Sequence, residues 1–142
     1  MKTLAIGDKH TLTFEVTAEK TVPHLYPETS FFSEMPEVFA TGYMIGLMEW
    51  CCMEALRPTL QEGEGCLGTL INVTHVAATL PGMIVTVHAT VKEINGRNIK
   101  WDVQAFDNLD LIGEGVIGRN VVEWSRFNRG LERKAEKFKA LI

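Results

Sequence analysis

One acidic side chain interrupts the most apolar stretch of the chain, residues 38–53 (VFATGYMIGLMEWCCM). Glu49 shares this stretch with only two other strongly hydrogen-bonding side chains, those of Thr41 and Tyr43. Burying a carboxylate costs on the order of several kcal/mol unless a partner or a proton compensates its charge. Glu49 is therefore either a buried acid with a partner elsewhere in the fold, or an acid at the rim of a buried helix that reaches solvent.

One histidine lies in a largely apolar row of a predicted strand. Residues 67–78 alternate as a strand does, and the row of His75 also contains Leu67, Thr69, Ile71, Val73 and Ala77. A single histidine in such a row is more often a hydrogen-bonded core residue than a catalytic one. The helix predicted to face this row, however, carries Glu49 and Thr41. A carboxylate and an imidazole around an apolar slot suit proton transfer or attack on an electrophilic carbonyl, with a hydroxyl to position the reacting group.

The spacing of Thr41 and Glu49 limits how they can work together. On a helix, eight residues correspond to about 80° around the axis and about 12 Å along it. The two side chains therefore share a broad face but cannot touch within one chain. A substrate, a water molecule or a second subunit has to bridge them.

The elements that position these residues are predicted from the period of the apolar pattern. A helix over residues 38–56 is apolar almost all round, which is typical of a helix buried on most sides. Period-two segments predict strands over residues 10–16, 67–78, 83–94, 99–106 and 111–122, with a tight hairpin at Asn95-Gly96. Residues 133–140 (RKAEKFKA) are typical of a short polar helix or tail. This order predicts an α+β fold in which an antiparallel sheet wraps around a central helix, and a dimer that completes the burial of that helix.

Composition excludes several classes of function. The 142 residues fit one domain, predicted to span 1–142, and a net charge of −4 gives no basic surface for nucleic acid. The apolar run is shorter than the roughly 20 residues that cross a bilayer, and no signal peptide begins the sequence. The three cysteines show neither CxxC nor metal-ligand spacing. We therefore expect a cytoplasmic protein with no metal, membrane or nucleic-acid partner.

Four segments resemble the fluoroacetyl-CoA thioesterase group of the hot-dog superfamily. They are residues 21–28 (TVPHLYPE), 36–52 (PEVFATGYMIGLMEWCC), 62–79 (EGEGCLGTLINVTHVAAT) and, more weakly, 112–122 (IGEGVIGRNVV). The resemblance implies a hot-dog fold, a homodimer with two sites at the subunit interface, and hydrolysis of an acyl-CoA thioester. It implies no separate cofactor, because coenzyme A is part of the substrate.

The resemblance also implies roles for individual residues. The catalytic Thr, Glu and His of the family fall on Thr41, Glu49 and His75. Its substrate-contacting Gly and Arg fall on Gly68 and Arg119. Because Gly68 lies on the opposite row of a regular strand from His75, this assignment requires either a β-bulge or a contact through the backbone.

The lid over the acyl pocket contains the main departure from the family. The resemblance places this lid on the loop that holds Val22, Phe32 and Met35, and the fluoroacetyl enzyme has a phenylalanine where this chain has Met35. A methionine is flexible and closes a less rigid gate, which weakens the expectation of fluoroacetyl specificity. Phe39 and the neighbouring aromatic residues leave limited room near the helix start, so we expect a short acyl group.

The leading hypothesis is thus an acyl-CoA thioesterase with Glu49 as nucleophile or general base, His75 as proton shuttle and Thr41 as positioner. Two alternatives stay open, since a fold does not determine a function. One is an acyl-CoA or acyl-thioester binding protein without turnover, and the other is a hot-dog dehydratase or hydratase. Release of free CoA thiol separates the first hypothesis from both.

Overall fold

The computed structural model describes residues 3–142, and within them five strands form one antiparallel sheet. The strands are β1 (Lys9–Glu15), β2 (Glu64–Val73), β3 (Ile84–Asn95), β4 (Asn98–Phe106) and β5 (Leu111–Glu123), in the spatial order β1-β3-β4-β5-β2. The helices are α1 (Ser30–Ser33), α2 (Thr41–Leu56) and α3 (Trp124–Lys139). Short 3-10 turns at Ala18–Lys20, Val22–His24 and Arg57–Thr59 connect them.

The sheet curls around α2, which contacts all five strands. Its side chains pack against alternating buried residues of the central strands, among them Val87 of β3 and Trp101 of β4. The buried residues of α2 are Met44, Leu47, Met48, Cys51, Cys52 and Leu56. Because apolar side chains lie almost all round this helix, a curved sheet buries it better than a flat layer would. The α+β prediction is confirmed in this architecture.

The central helix begins three residues later than predicted, at Thr41 instead of residue 38. Backbone groups of the preceding segment bond to other parts of the chain: Phe39 N–H donates to Thr79 O (2.8 Å) and Ala40 N–H donates to Lys20 O (3.0 Å). Ala40 is extended, with ψ 140°, and offers no side-chain cap to the helix. The apolar pattern runs on through residues 38–40, but their long-range hydrogen bonds keep them out of the helix.

A second predicted boundary is wrong, because strand β2 ends at Val73 and not at residue 78. Beyond it the chain still follows β5, since Thr74 N–H donates to Glu114 O (2.9 Å) and Val76 N–H donates to Ile112 O (2.7 Å). His75 therefore lies in an irregular extension of β2. The register of β2 against β5 also shifts between Gly68 and Leu70.

This shift is a β-bulge, and it changes which row of β2 faces α2. Before it, Cys66 and Gly68 face the helix; after it, Val73 and His75 do. The bulge lets Gly68 and His75 face the same side although they belong to opposite rows of a regular strand. One of the two conditions set by the sequence for Gly68 is thus met. Of the residues predicted to share the inward row of His75, Thr69 lies in the bulge and is exposed, whereas Ile71 pairs with the buried Ile117 of β5 and lies on the same side of the sheet.

The hairpin between β3 and β4 is confirmed, with Gly96 at φ 62° in the left-handed region that glycine tolerates. The C-terminal helix is longer than the predicted short helix over residues 133–140, and none of its sixteen residues is buried. Trp124 anchors it, because its indole packs on Gly65 of β2 so closely that a side chain at position 65 would collide with it.

Between residues 3 and 142, no helix is long and apolar enough to cross a membrane. The predicted domain range 1–142 includes two residues outside those described. The single domain and the cytoplasmic location stay predictions.

Candidate active site

Glu49 lies near the middle of α2 and forms an ion pair with Arg119 of β5. The Nη1 group of Arg119 donates to Glu49 Oε2 at 2.6 Å, and the exposed fractions of the two side chains are 7% and 26%. The guanidinium offsets much of the free energy lost when the carboxylate leaves water. Of the two interpretations of Glu49, the structure supports a mostly buried acid with a partner, although one side of the carboxylate still reaches the surface.

A second residue of β2 holds the other side of the guanidinium. Arg119 Nε donates to Cys66 Sγ at 3.0 Å, and Arg119 Nη2 donates to the Cys66 carbonyl at 3.1 Å. All three nitrogens of the guanidinium thus have an acceptor. Because the guanidinium is planar and rigid, these contacts determine the direction in which Nη1 points.

Gly68 leaves room for the carboxylate. A Cβ atom at this position would lie 2.8 Å from Glu49 Oε2 and 3.4 Å from Arg119 Nη1. Any side chain here would displace the acid, so the absence of one lets the strand backbone pass directly beside Glu49.

Thr41 and His75 form the second polar group of the site. Thr41 is the first residue of α2, and its Oγ1 lies 2.7 Å from His75 Nδ1. His75 Nε2 is buried and has no hydrogen-bond partner among residues 3–142. Burial lowers the pKa of His75 below its usual value. The imidazole is therefore neutral at pH 7, with one nitrogen bonded to Thr41 and the other available.

An open apolar cleft of about 310 Å³ adjoins this pair. Three of the predicted substrate-binding residues, Val22, Met35 and Phe39, line it together with Thr41 and His75. Its remaining wall comes from residues that the sequence did not single out for substrate: Val38, Val76, Ala77 and Ala78. Phe32 is not part of the lining; it lies on α1 with its ring centroid 5.7 Å from that of Tyr26.

The two polar groups are separate within one chain, as their spacing on α2 predicted. Thr41 bonds to His75 and Glu49 to Arg119, and no hydrogen bond within the described residues joins the two pairs. The structure thus brings together Thr41 with His75 and Glu49 with Gly68 and Arg119. Sequence reasoning missed Cys66, and no pattern in the sequence indicates that its sulfur contacts Arg119.

Among residues 3–142, no group of three or more His, Cys, Asp or Glu side chains is arranged to hold a metal ion. The expectation that the protein needs neither metal nor cofactor stays a prediction. The arrangement offers instead a charged acid, a neutral imidazole, a hydroxyl and an apolar cleft, which are the parts needed for hydrolysis of an activated acyl group.

Comparison with known proteins agrees with this chemistry. The family described as fluoroacetyl-CoA-specific thioesterase matches residues 16–125. A fluoroacetyl-CoA thioesterase from Streptantibioticus cattleyicolor is 50% identical over 131 residues, which cover 92% of this chain and 94% of the relative. A solved structure of the fluoroacetyl-CoA thioesterase FlK is similar with a TM-score of 0.91 and 49% identity, over 94% of this chain and 98% of that one. A thioesterase superfamily member from Thermus thermophilus is 29% identical with a TM-score of 0.88, over 99% of both chains.

The curled sheet around α2 and these relatives define the class of the protein, which is a thioesterase of the hot-dog fold. Within that class, the chain belongs to the fluoroacetyl-CoA-specific thioesterase family. It is accordingly an acyl-CoA thioesterase, a hydrolase of thioesters. The resemblance drawn from the sequence is confirmed.

Proposed function

We propose that this thioesterase hydrolyses a short-chain acyl-CoA, with Glu49 as nucleophile or general base, His75 as proton shuttle and Thr41 as positioner. The observation that carries the proposal is the pairing of Thr41 with His75 Nδ1 at 2.7 Å, which leaves a buried Nε2 available beside the apolar cleft. A neutral imidazole held by one nitrogen is suited to passing a proton with the other.

Glu49 supplies the negative charge that the reaction needs. In a covalent route, a carboxylate oxygen adds to the thioester carbonyl carbon, the C–S bond breaks, and water then hydrolyses the mixed anhydride to release the acid and restore Glu49. In a direct route, Glu49 takes a proton from a water molecule as that water adds to the same carbon. Both routes consume one water molecule and yield the free acid and the CoA thiol.

His75 and Thr41 serve either route. In the direct route, the proton that Glu49 takes from water passes through His75 to the departing sulfur. In the covalent route, the sulfur leaves as the thiolate, and His75 takes a proton from the water that hydrolyses the anhydride and returns it to the thiolate. The Thr41 hydroxyl both donates and accepts hydrogen bonds, and it can therefore support either neutral tautomer of the imidazole during this exchange. The first backbone N–H groups of α2 have no acceptor within the helix, and they are suited to stabilise the oxyanion near Thr41.

We propose that a homodimer completes the site, with Thr41 and His75 of one subunit facing Glu49 of the other. The apolar side chains of edge strand β2 support this, since Leu70 is 38% and Ile71 48% exposed. A strand edge of this kind invites pairing with a second strand. Trp50 and Met53 of α2 are similarly exposed, at 46% and 43%.

The substrate-binding assignments extend to the acyl group. Val22, Met35 and Phe39 would contact it in the cleft, and Gly68 and Arg119 would contact the substrate beside Glu49. Phe32 lies outside the lining of the cleft, against Tyr26, and would act as part of the lid. Because Met35 adapts its shape, we expect a broader range of short acyl groups than a rigid aromatic gate would accept.

Thiol release from a panel of acyl-CoAs tests the proposal. The panel runs from acetyl and fluoroacetyl to medium-chain and aryl thioesters, with wild type beside Glu49→Ala. We expect release from short-chain substrates that falls by at least about 10³-fold in the variant. Full activity of Glu49→Ala would rule out the assigned chemistry, and preference for long chains would rule out the proposed substrate range.

Mixing two inactive variants tests the shared site. Glu49→Ala and His75→Ala are co-expressed, so that about half of the dimers are hybrids. If each site takes His75 from one subunit and Glu49 from its partner, every hybrid has one intact site, and about a quarter of wild-type activity returns. If both residues act from one chain, each hybrid site lacks one of them and no activity returns.

A further inference from the structure

Cys66 occupies an unusual place for a cysteine of a hydrophobic core. It is one of three free cysteines, all buried, and it lies on β2 opposite Val121 of β5. Its sulfur and its carbonyl oxygen accept two hydrogen bonds from Arg119, at 3.0 and 3.1 Å. The remaining Nη1 group of the same guanidinium donates to Glu49 at 2.6 Å.

The other two cysteines show what a cysteine with a packing role looks like in this protein. Cys51 and Cys52 lie on α2 among apolar side chains. The Cys51 thiol donates to backbone carbonyls of His10 and Val87, and burial raises the pKa of Cys51 to about 11. Of the three, Cys66 alone accepts a hydrogen bond from a charged group within residues 3–142.

The geometry of a guanidinium gives this contact a consequence for Glu49. Arginine is long and has many rotamers, but its five N–H donors lie in one rigid plane. If the Cys66 carbonyl were the only Cys66 acceptor, the guanidinium plane could still rotate about its hydrogen bond at Nη2. A second acceptor at Nε removes the pivot, so Nη1 and the carboxylate bound to it have a single position.

We infer that Cys66 is a positioning residue, which acts through Arg119 to hold the Glu49 carboxylate in place for catalysis. The role of Cys66 in the reaction rests on the proposed function of Glu49; its coupling to Glu49 does not. A displacement of about 1 Å in a reacting group lowers rates by up to about 10²-fold, so a partial loosening of Arg119 has a measurable effect.

Two substitutions separate the acceptor from the volume of the side chain. Cys66→Ala removes the acceptor at Nε, whereas Cys66→Ser keeps one, since a hydroxyl oxygen accepts from an N–H group. We expect Cys66→Ala to lower kcat about tenfold while KM changes less than about twofold, and Cys66→Ser to recover kcat to within about threefold of wild type. Cys51→Ala and Cys51→Ser are the matched controls, and we expect both to keep wild-type kcat.

A wild-type kcat in folded Cys66→Ala overturns the inference. So does an equal loss of kcat in Cys66→Ala and Cys66→Ser, because the acceptor would then be irrelevant.

A thermodynamic cycle tests the coupling without reference to activity. Unfolding in urea is measured for wild type, Cys66→Ala, Glu49→Gln and the double variant. If Cys66 acts on Glu49 through Arg119, the two effects on the unfolding equilibrium constant are non-additive by about fivefold or more. Additive effects overturn the inference even if the protein proves to be a Glu49-dependent thioesterase. Coupling without thiol release would instead contradict the proposed function and leave the Cys66–Glu49 connection standing.

Discussion

The two ends of the catalytic stretch of α2 are built in opposite ways. Glu49, in the helix interior, is held by Nη1 of a guanidinium whose other two nitrogens donate to Cys66. Thr41, at the helix start, holds His75 by one hydrogen bond beside an open cleft, and His75 Nε2 has no partner in the described part of the chain.

This difference indicates a division of labour. A charged group is expensive to bury, so the Glu49 end is already complete: its charge is paired before any substrate arrives. A neutral imidazole tolerates a missing hydrogen bond better than a charged group does, so the His75 end can leave one nitrogen for the substrate. Substitutions at the two ends should therefore differ in their effects on kcat and on stability.

The largest effect should come from the open end of α2, where Thr41 and His75 adjoin the cleft. We expect His75→Ala to lower kcat about 10³-fold, since a proton shuttle contributes about 10²–10⁴-fold. His88→Ala is the matched control. His88 is also a histidine whose Nδ1 lies within hydrogen-bonding distance of a threonine, 3.0 Å from Thr11 Oγ1, but it is exposed and has no proposed role in catalysis. Steady-state thiol release is measured for both, with thermal unfolding to establish that each variant folds. If His75→Ala keeps more than about a tenth of wild-type kcat, the open end only lines the pocket.

The next largest effect should come from the Glu49 end of α2, through a substitution that replaces no charged residue. Gly68→Ala places a Cβ 2.8 Å from Glu49 Oε2, so the carboxylate must move. We expect kcat to fall about 50-fold, while the melting temperature changes by only a few degrees because a flexible side chain gives way. Gly46→Ala is the control, since nothing lies within 4 Å of its added Cβ. An unchanged kcat in Gly68→Ala would show that the position of Glu49 is not critical.

The sequence was informative about the frame of this site and less so about its contacts. Period-two and helical patterns located every strand and the central helix, because each element buries one well-defined set of apolar residues. They placed the start of α2 at residue 38 and not at Thr41, where the helix begins. The backbone before Thr41 bonds instead to Lys20 and Thr79, which are distant in sequence. Hydrogen bonds between distant segments leave no periodic signal.

The contacts of Glu49 show the same limit more sharply. Its neighbours left two interpretations open, a buried acid with a partner or an acid at the rim of the helix. Its partner Arg119 is seventy residues away and was assigned to the substrate through family resemblance alone. The bulge near Gly68 was one of two stated conditions, and Cys66 gave no signal at all. What a side chain contacts across a sheet depends on strand order and register, which composition and spacing do not encode.

A smaller effect should come from the hydrogen bond that joins α2 to His75. Thr41→Val keeps the shape of the side chain and removes its hydroxyl, and a lost hydrogen bond of about 1–1.5 kcal/mol corresponds to a roughly tenfold lower kcat. Thr41→Ser keeps the hydroxyl and should stay within about threefold of wild type. The measurement is kcat and KM for a short-chain acyl-CoA. Equal losses in Thr41→Val and Thr41→Ser would mean that the methyl group matters and the hydrogen bond does not.

The smallest effect is on the pH dependence of the folding stability, and it arises from His75 at the open end. Burial lowers the pKa of His75 in the folded protein below its ordinary value of 6.5. Between these two pKa values the unfolded chain binds more protons than the folded one, so lowering the pH through this window destabilises the fold. Above 6.5 both states are neutral at this residue, and below the folded pKa both are charged, so the loss levels off.

Urea unfolding of wild type and His75→Gln at several pH values isolates this contribution, because all other titrating groups are common to both proteins. We expect the stability of wild type relative to the variant to decrease as the pH falls from 7.5 to about 5. A difference that stays constant would mean that burial does not shift the pKa of His75. A difference that grows in favour of wild type at low pH would mean that the fold raises this pKa and favours the charged imidazole. His75 would then be a cation beside the cleft, which is incompatible with a neutral shuttle, and the contrast between a charged end and a neutral end of α2 would no longer hold.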